Sequence, residues 1–162
     1  MKKKEHLPYM GVGPFYGATI VLLTIIGVIL SKKDILMSGN VEVLKLPFSI
    51  VGVILIVFGL YMWMAAIFQS KIDDGIKNNQ LVTTGVYAYV RNPIYSAFMI
   101  ACTGVLLITH NLWVLILPVF YWGFMTILMK NTEEKWLEDL YGEEYRVYCK
   151  KMNRCIPWKR RG

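Results

Sequence analysis

Four stretches of the chain carry no charged residue, and this constrains the fold more than any other feature of the sequence. They are Phe15 to Leu30, Leu46 to Gln69, Ile94 to Thr109 and Leu112 to Met129. A bilayer core of about 30 Å needs roughly 20 residues of helix. Flanking residues extend the shorter stretches to this length, and helices of soluble proteins would need a polar face that these lack. We therefore predict four transmembrane helices, at about 14–30, 46–69, 93–109 and 111–129.

These helices predict an all-α integral membrane protein with a C-terminal amphipathic helical segment at 130–162. The 162 residues, 56% of them hydrophobic, fit one membrane-embedded domain that covers 1–162. The net charge of +7 could suit a nucleic acid, but the apolar content argues against that partner. Cys102, Cys149 and Cys155 show neither a disulfide framework nor a metal-ligand spacing, so we predict no metal site.

The distribution of Lys and Arg predicts the orientation of the four helices. Three of these residues precede the first helix, three lie between the second and third, and nine follow the fourth; only Lys32, Lys33 and Lys45 fall on the other side. Cytoplasmic loops carry the excess of Lys and Arg. We therefore expect both termini in the cytoplasm, together with the two polar segments at 79–95 and 130–162.

The first polar segment ends in a helix start. Asn is a good N-cap and Pro is favoured at the first helical position, so Asn92 and Pro93 predict that the third membrane helix begins here. The free N–H groups of a helix start attract anions, and Arg91 adds a fixed positive charge. Taken alone, this segment is more typical of a capped helix with an interfacial belt of arginine and tyrosine than of an anion site.

The second polar segment has a helical apolar face. Leu137, Tyr141, Tyr145, Tyr148 and Met152 follow helical spacing, and Gly142 is expected to divide the segment into two pieces. Acidic residues at its start and basic residues at its end match the helix dipole. Taken alone, the pattern is typical of an amphipathic helix on the membrane surface, with the Glu133–Glu134 pair at its start.

Together the two segments resemble the integral-membrane methyltransferases, which include isoprenylcysteine carboxyl methyltransferase and the phospholipid N-methyltransferases. The family pattern L-V-x-x-G-x-Y-x-x-x-R-H-P-x-Y is followed by a helical hairpin and E-E-x-x-L-x-x-x-F/Y-G-x-x-Y-x-x-Y. The matching residues are Leu81, Val82, Gly85, Tyr87, Arg91, Pro93, Tyr95, Glu133, Glu134, Leu137, Gly142, Tyr145 and Tyr148. One position departs from the pattern, because Asn92 stands where the family has His.

The resemblance implies S-adenosylmethionine (SAM) as the methyl donor, bound at the cytoplasmic end of the last two membrane helices. It assigns cofactor contacts to Asn79, Gln80, Leu81, Val82, Tyr87, Asn92, Pro93, Ile94, Tyr95, Glu133 and Glu134. It further implies catalytic roles for Arg91 and Glu134 and an acceptor-side role for Lys130. Arg91 would offset the SAM carboxylate, and a carboxylate of the acidic pair would hold the ammonium or the ribose.

The resemblance also implies a lipid-attached or small hydrophobic acceptor, most like a prenylcysteine-type carboxylate. Because Asn92 cannot titrate near neutral pH, an acceptor that is already ionised is favoured. One alternative is a non-catalytic four-helix scaffold or lipid-binding protein of the same family. Another is a small multidrug-type carrier, which the absence of Asp, Glu, Lys and Arg from the four stretches argues against.

Overall fold

The computed structural model describes residues 11–69 and 80–157, and six α-helices form the frame of this part of the chain. We label them α1 (Gly13–Ser31), α2 (Lys45–Met64), α3 (Pro93–Ile108), α4 (Leu117–Asn131), α5 (Glu133–Tyr141) and α6 (Glu143–Lys151). A π-helical turn, Ala65–Gln69, extends α2. Short 3₁₀ turns lie at Asp34–Gly39, Glu42–Leu44, Gly85–Ala88 and Trp113–Ile116. The predicted cofactor residue Asn79 falls outside the described residues.

Three helical segments, two of which join consecutive helices and turns, are long and apolar enough to cross a membrane, namely Gly13–Ser31, Glu42–Phe68 and Trp113–Tyr141. This confirms an all-α membrane protein. The remaining apolar helix, α3, has 16 residues, which at 1.5 Å per residue spans about 24 Å. Its crossing of the bilayer, and with it the count of four, stays a prediction.

A 3₁₀ turn lies between α3 and α4. The chain leaves α3 at Ile108, makes the 3₁₀ turn at Trp113–Ile116 and continues into α4 at Leu117. Helical structure thus begins at Trp113, two residues after the predicted start at about 111. Pro118 explains why regular α-helix begins at Leu117, because it lies in the first helical turn, where a proline initiates a helix.

Helices α1, α3 and α4 enclose the main core. Gly17 faces Phe98 near the starts of α1 and α3, and Gly27 faces Leu106 near their ends, so these two helices run parallel. Gly27 also meets Leu117 at the start of α4, which therefore runs back toward the start of α1. As a result, the starts of α1, α3 and α5 lie at one end of the bundle.

Helix α2 packs antiparallel on α3 through small residues. Gly52 lies against Gly104, and Gly59 lies against Ala97 and Ala101. Helices in a membrane gain stability from such close approach, because small residues bring the backbones together. Most of the other α2 side chains face outward, as expected for a helix in contact with lipid.

Replacing Gly104 with alanine is expected to weaken this contact. The new Cβ would lie 2.5 Å from the Gly52 carbonyl oxygen, and overpacking of this kind destabilises by about 1–3 kcal/mol. The matched control is Gly123→Ala in α4, where the Cβ has nothing within 4 Å and helix propensity favours alanine by about 1 kcal/mol. Unfolding in mixed detergent micelles measures both variants, and equal stabilities would contradict the packing.

The opposite end of the bundle is closed by Asn111, whose side chain is fully buried. Its amide nitrogen donates to the Leu36 carbonyl at 2.6 Å and to Asn40 Oδ1 at 2.7 Å. Its amide oxygen accepts from the Trp113 backbone N–H at 3.0 Å. One side chain thus joins the segment after α1 to the turn before α4.

Candidate functional site

Three segments meet where α3 begins: the residues before α3, the start of α5 and the chain that follows α6. Arg91 N–H donates to the Asn153 carbonyl at 2.8 Å, and Asn92 N–H donates to the Arg154 carbonyl at 3.2 Å. An isolated parallel bridge pairs Val90 with Asn153. The backbone therefore fixes the position of the α3 start against the C-terminal segment.

Glu134 lies between two arginines at this junction. Arg154 binds it with two parallel hydrogen bonds, from Nε to Oε1 at 2.6 Å and from Nη2 to Oε2 at 2.9 Å. Arg91 Nη1 lies 3.2 Å from Oε1. The side chains of Arg91, Glu134 and Arg154 are 9%, 15% and 21% exposed. These three residues form a semi-buried ion cluster, hereafter the Arg–Glu–Arg cluster.

The Arg–Glu–Arg cluster has two fixed positive charges and one carboxylate. The hydrogen bond to Glu134 raises the pKa of the Arg154 guanidinium above its usual value, which keeps the group charged. Arg91 Nε is buried without a hydrogen-bond partner within the described residues, and a buried unsatisfied donor is unfavourable. The cluster is therefore suited to accept a further anion, such as a carboxylate.

Asn92 occupies the N-cap position of α3, as predicted, but its side chain makes no capping hydrogen bond. Its amide nitrogen instead donates to the Arg154 carbonyl at 3.1 Å. The predicted capping hydrogen bond is therefore absent. A cap would accept through Oδ1, and the contact of Nδ2 with the Arg154 carbonyl turns the side chain toward the chain after α6. The helix begins at Pro93 all the same.

Glu133 points in a different direction from its neighbour. It accepts hydrogen bonds from Val12 N–H at 2.9 Å and from the Tyr95 hydroxyl. Gly11 adopts a positive φ, and a Cβ there would overlap the Glu133 carboxylate. Glu133 therefore holds the entry to α1 and the first turn of α3 together, and its predicted contact with a cofactor is untested.

The apolar face predicted over α5 and α6 is confirmed. Tyr145, Tyr148 and Met152 are buried with Leu137 and Tyr141 packed against them, and Gly142, with φ of 56°, separates the two helices. The cluster also contacts Leu81, so this face packs against the protein and not only against a membrane surface.

The tyrosines of this face also tie α6 to the loop before α3. The Tyr148 hydroxyl donates to the Tyr87 carbonyl at 2.6 Å. Burial raises the pKa of both Tyr145 and Tyr148 above the usual tyrosine value, so both hydroxyls stay protonated near neutral pH. Gly85, with a φ of 60°, supplies a turn in this loop.

The other predicted site residues are more dispersed. Pro93 is buried, Leu81, Val82 and Ile94 are half-buried, and Gln80 is exposed. Lys130 is exposed in the last turn of α4. The structure thus joins Arg91, Asn92 and Glu134 in one network and Tyr95 with Glu133 in a second. The acceptor-side role of Lys130 is untested.

Arg154 is the site residue that the sequence analysis missed. It was assigned to the basic end of an amphipathic helix, but α6 ends at Lys151 and Arg154 belongs to the extended chain beyond it. Asn153 and Pro157 give a weak signal for this ending, since neither residue favours a helix interior. No local pattern indicates that Arg154 reaches Glu134.

Comparison with known proteins supports the resemblance. Protein-S-isoprenylcysteine O-methyltransferase of Schizosaccharomyces pombe is 37% identical over 82 residues, which are 50% of this chain and 34% of the relative. Methanethiol S-methyltransferase 1 of Bradyrhizobium diazoefficiens is 35% identical over 77 residues, 46% of this chain and 25% of the relative. A probable protein-S-isoprenylcysteine O-methyltransferase of Oryza sativa subsp. indica is 30% identical over 81 residues, 49% of this chain and 42% of the relative.

The chain thus spans between a quarter and less than half of the length of these curated relatives. No solved structure matches it significantly. The phospholipid methyltransferase family matches residues 47–144, more than half of the chain and a range that contains both Arg91 and Glu134. The protein therefore belongs to the phospholipid methyltransferase family.

Proposed function

We propose that this protein is a membrane-embedded, SAM-dependent methyltransferase whose active site is the Arg–Glu–Arg cluster at the start of α3. The observation that carries the proposal is the buried Arg91 guanidinium, which is paired with Glu134 and whose Nε–H has no partner among residues 11–69 and 80–157. Both residues lie inside the range that the family matches. Family membership and this unsatisfied donor support the same location.

The residues around the cluster fit the chemistry of SAM. SAM carries a carboxylate, an ammonium and a sulfonium whose methyl group is the electrophile. Arg91 Nε–H would bind the carboxylate, and the negative oxygens of Glu134 would hold the ammonium. The aromatic rings of Tyr87 and Tyr95 would stabilise a nearby cation. Gln80, Leu81 and Val82 remain proposed contacts of the adenosine, as does Asn79 beyond the described residues.

The remaining work of the site is to position the acceptor and to exclude water, which is where methyl transfer gains much of its rate. Asn92 is committed to the Arg154 carbonyl and has no titratable proton. The proposed acceptor is therefore an anion, a carboxylate or thiolate, on a lipid-attached or small hydrophobic molecule. The named relatives include two O-methyltransferases, one of them probable, and one S-methyltransferase. A prenylcysteine-type carboxylate remains the nearest analogue.

The proposal places the cluster at the cytoplasmic surface with α3 as a fourth span. Helix α3 is uncharged over its 16 residues and packs along α2. Its direction is parallel to α1 and opposite to α2, as alternating membrane crossings require. The excess of Lys and Arg at this end supports a cytoplasmic location of both termini.

The test is methyl transfer from labelled SAM in native membranes, with prenylcysteine, lipid-amine and thiol acceptors read by product mass. We expect a single labelled product with a carboxylate or thiol acceptor, and its loss in Arg91→Gln. A folded protein that neither binds SAM nor labels any acceptor would refute the proposal and would favour a non-catalytic membrane scaffold of the same family.

A further inference from the structure

The C-terminal segment after α6 is held rigidly at the proposed active site. Met152 is buried in the tyrosine cluster of α6, and Cys155 is buried in the main core between the membrane helices. Arg154 lies between these two anchors. Its carbonyl accepts both the N–H and the side-chain amide of Asn92. Arg154 therefore has a fixed position relative to the start of α3.

The contact between Arg154 and Glu134 differs from an ordinary surface ion pair. Arg146 approaches Glu138 with the same atoms, Nε and Oε1, at 2.7 Å, but these side chains are 59% and 46% exposed. The Arg154 contact is bidentate, with both side chains more than three-quarters buried. Exposed pairs contribute little, whereas buried bidentate pairs are strong and orienting.

The geometry also explains why Arg91 retains a free donor. Arg154 satisfies both oxygens of Glu134, so Arg91 needs to contribute only Nη1 at 3.2 Å. Its Nε is left buried, with no hydrogen-bond partner in the part of the chain that the structure describes. Arg91 Nη1 also donates to Cys149 Sγ at 2.6 Å, so the clamped Glu134 and Cys149 together orient the Arg91 guanidinium. Without Arg154, the Glu134 carboxylate would be free to turn, and the direction of the Arg91 Nε–H would no longer be fixed.

We propose that Arg154 is a positioning residue, which clamps Glu134 and thereby keeps the Arg91 Nε–H available for a ligand carboxylate. It lies beyond residues 47–144, the range that the family matches. The inference rests on the proposed function, because the carboxylate belongs either to SAM or to an anionic acceptor. In both cases Arg154 acts through its neighbours and does not touch the reacting atoms.

The experiment measures the SAM dissociation constant of the full chain in detergent for Arg154→Gln, Arg154→Lys, Glu134→Gln and the double variant Glu134→Gln/Arg154→Gln. Losing a charge-assisted hydrogen bond corresponds to weakening of about tenfold to a hundredfold, which we expect for Arg154→Gln. Arg154→Lys keeps the charge but loses the paired guanidinium donors, so its SAM affinity should lie between those of the wild-type protein and Arg154→Gln. The double variant should bind SAM no more weakly than Glu134→Gln alone, because Arg154 has no carboxylate to bind once Glu134 is replaced.

Two further measurements separate positioning from mere folding and identify the carboxylate. Arg146→Gln is the matched control and should stay within about twofold of the wild-type protein. The affinities of the wild-type protein and of Arg154→Gln are measured for SAM and for its decarboxylated analogue. The affinities of both proteins for a carboxylate acceptor and for its methyl ester are measured by competition. If Arg154→Gln weakens binding of decarboxylated SAM less than binding of SAM, the ligand carboxylate belongs to SAM. If it weakens binding of the methyl ester less than binding of the carboxylate acceptor, the ligand carboxylate belongs to the acceptor.

The inference would be overturned if Arg154→Gln bound both SAM and the acceptor within about twofold of the wild-type protein. It would also be overturned if the losses of the two single variants added up in the double variant. If Arg154→Gln fails to fold, Arg154→Lys decides by the same thresholds. A wild-type protein that does not bind SAM at all is a different result, since it refutes the proposed function itself.

Discussion

Replacing Glu134 with alanine is expected to destabilise the protein by about 3–5 kcal/mol, the usual result of removing one partner of a buried ion pair. The effect is large because Glu134 is the carboxylate that pairs with two guanidinium groups, Arg91 and Arg154, whose side chains are 9% and 21% exposed. Two positive charges would then face each other in a partly desolvated site. We also expect SAM binding to be weakened, because the ammonium would have no carboxylate.

Unfolding in mixed micelles and a SAM titration measure the two effects separately. Glu138→Ala is the control, since it removes a carboxylate of the same helix from its exposed pair with Arg146 and should change stability by no more than about 1 kcal/mol. A Glu134→Ala protein as stable as Glu138→Ala would show that the Arg–Glu–Arg cluster is not desolvated enough to matter. Glu134→Gln keeps the shape and tests the charge alone.

The membrane helices could be predicted because lipid demands long uncharged stretches, and the start of α3 at Pro93 and the break at Gly142 follow from single residues with strong backbone preferences. The α3–α4 connection was harder to predict. Pro118 and the apolar residues before it are compatible with a kinked helix or with a 3₁₀ turn that leads into one. The buried hydrogen bonds of Asn111 favour the turn, and the sequence gives no sign of them.

Some residues of the candidate site could likewise be predicted from the sequence, and others could not. Arg91, Asn92 and Glu134 could be grouped because a family pattern places them together, although their spacing alone is compatible with a helix start that has no functional role. Arg154 could not be grouped with them. It reaches Glu134 through a parallel backbone pairing between Val90 and Asn153, and such a pairing over 63 positions of the chain leaves no periodicity in either segment.

Asn111→Ala is the second variant with a large expected effect, here on stability alone. It would leave the Leu36 carbonyl and the Trp113 N–H without their buried partner. Each unsatisfied buried group costs about 1–3 kcal/mol, so we expect a loss of about 2–6 kcal/mol in total. The site end of the bundle is a full helix length away, and the folded variant should bind SAM as the wild-type protein does.

The control is Asn131→Ala, which removes an exposed amide that donates only to the Ile127 carbonyl of its own helix and should change stability by no more than about 0.5 kcal/mol. Comparing Asn111→Ala with Glu134→Ala then separates the two ends of the bundle. The first should lower stability and leave the affinity of the folded protein intact, and the second should lower both. If Asn111→Ala also weakened SAM binding, the two ends would be coupled through α3, which would contradict a binding site confined to the start of that helix.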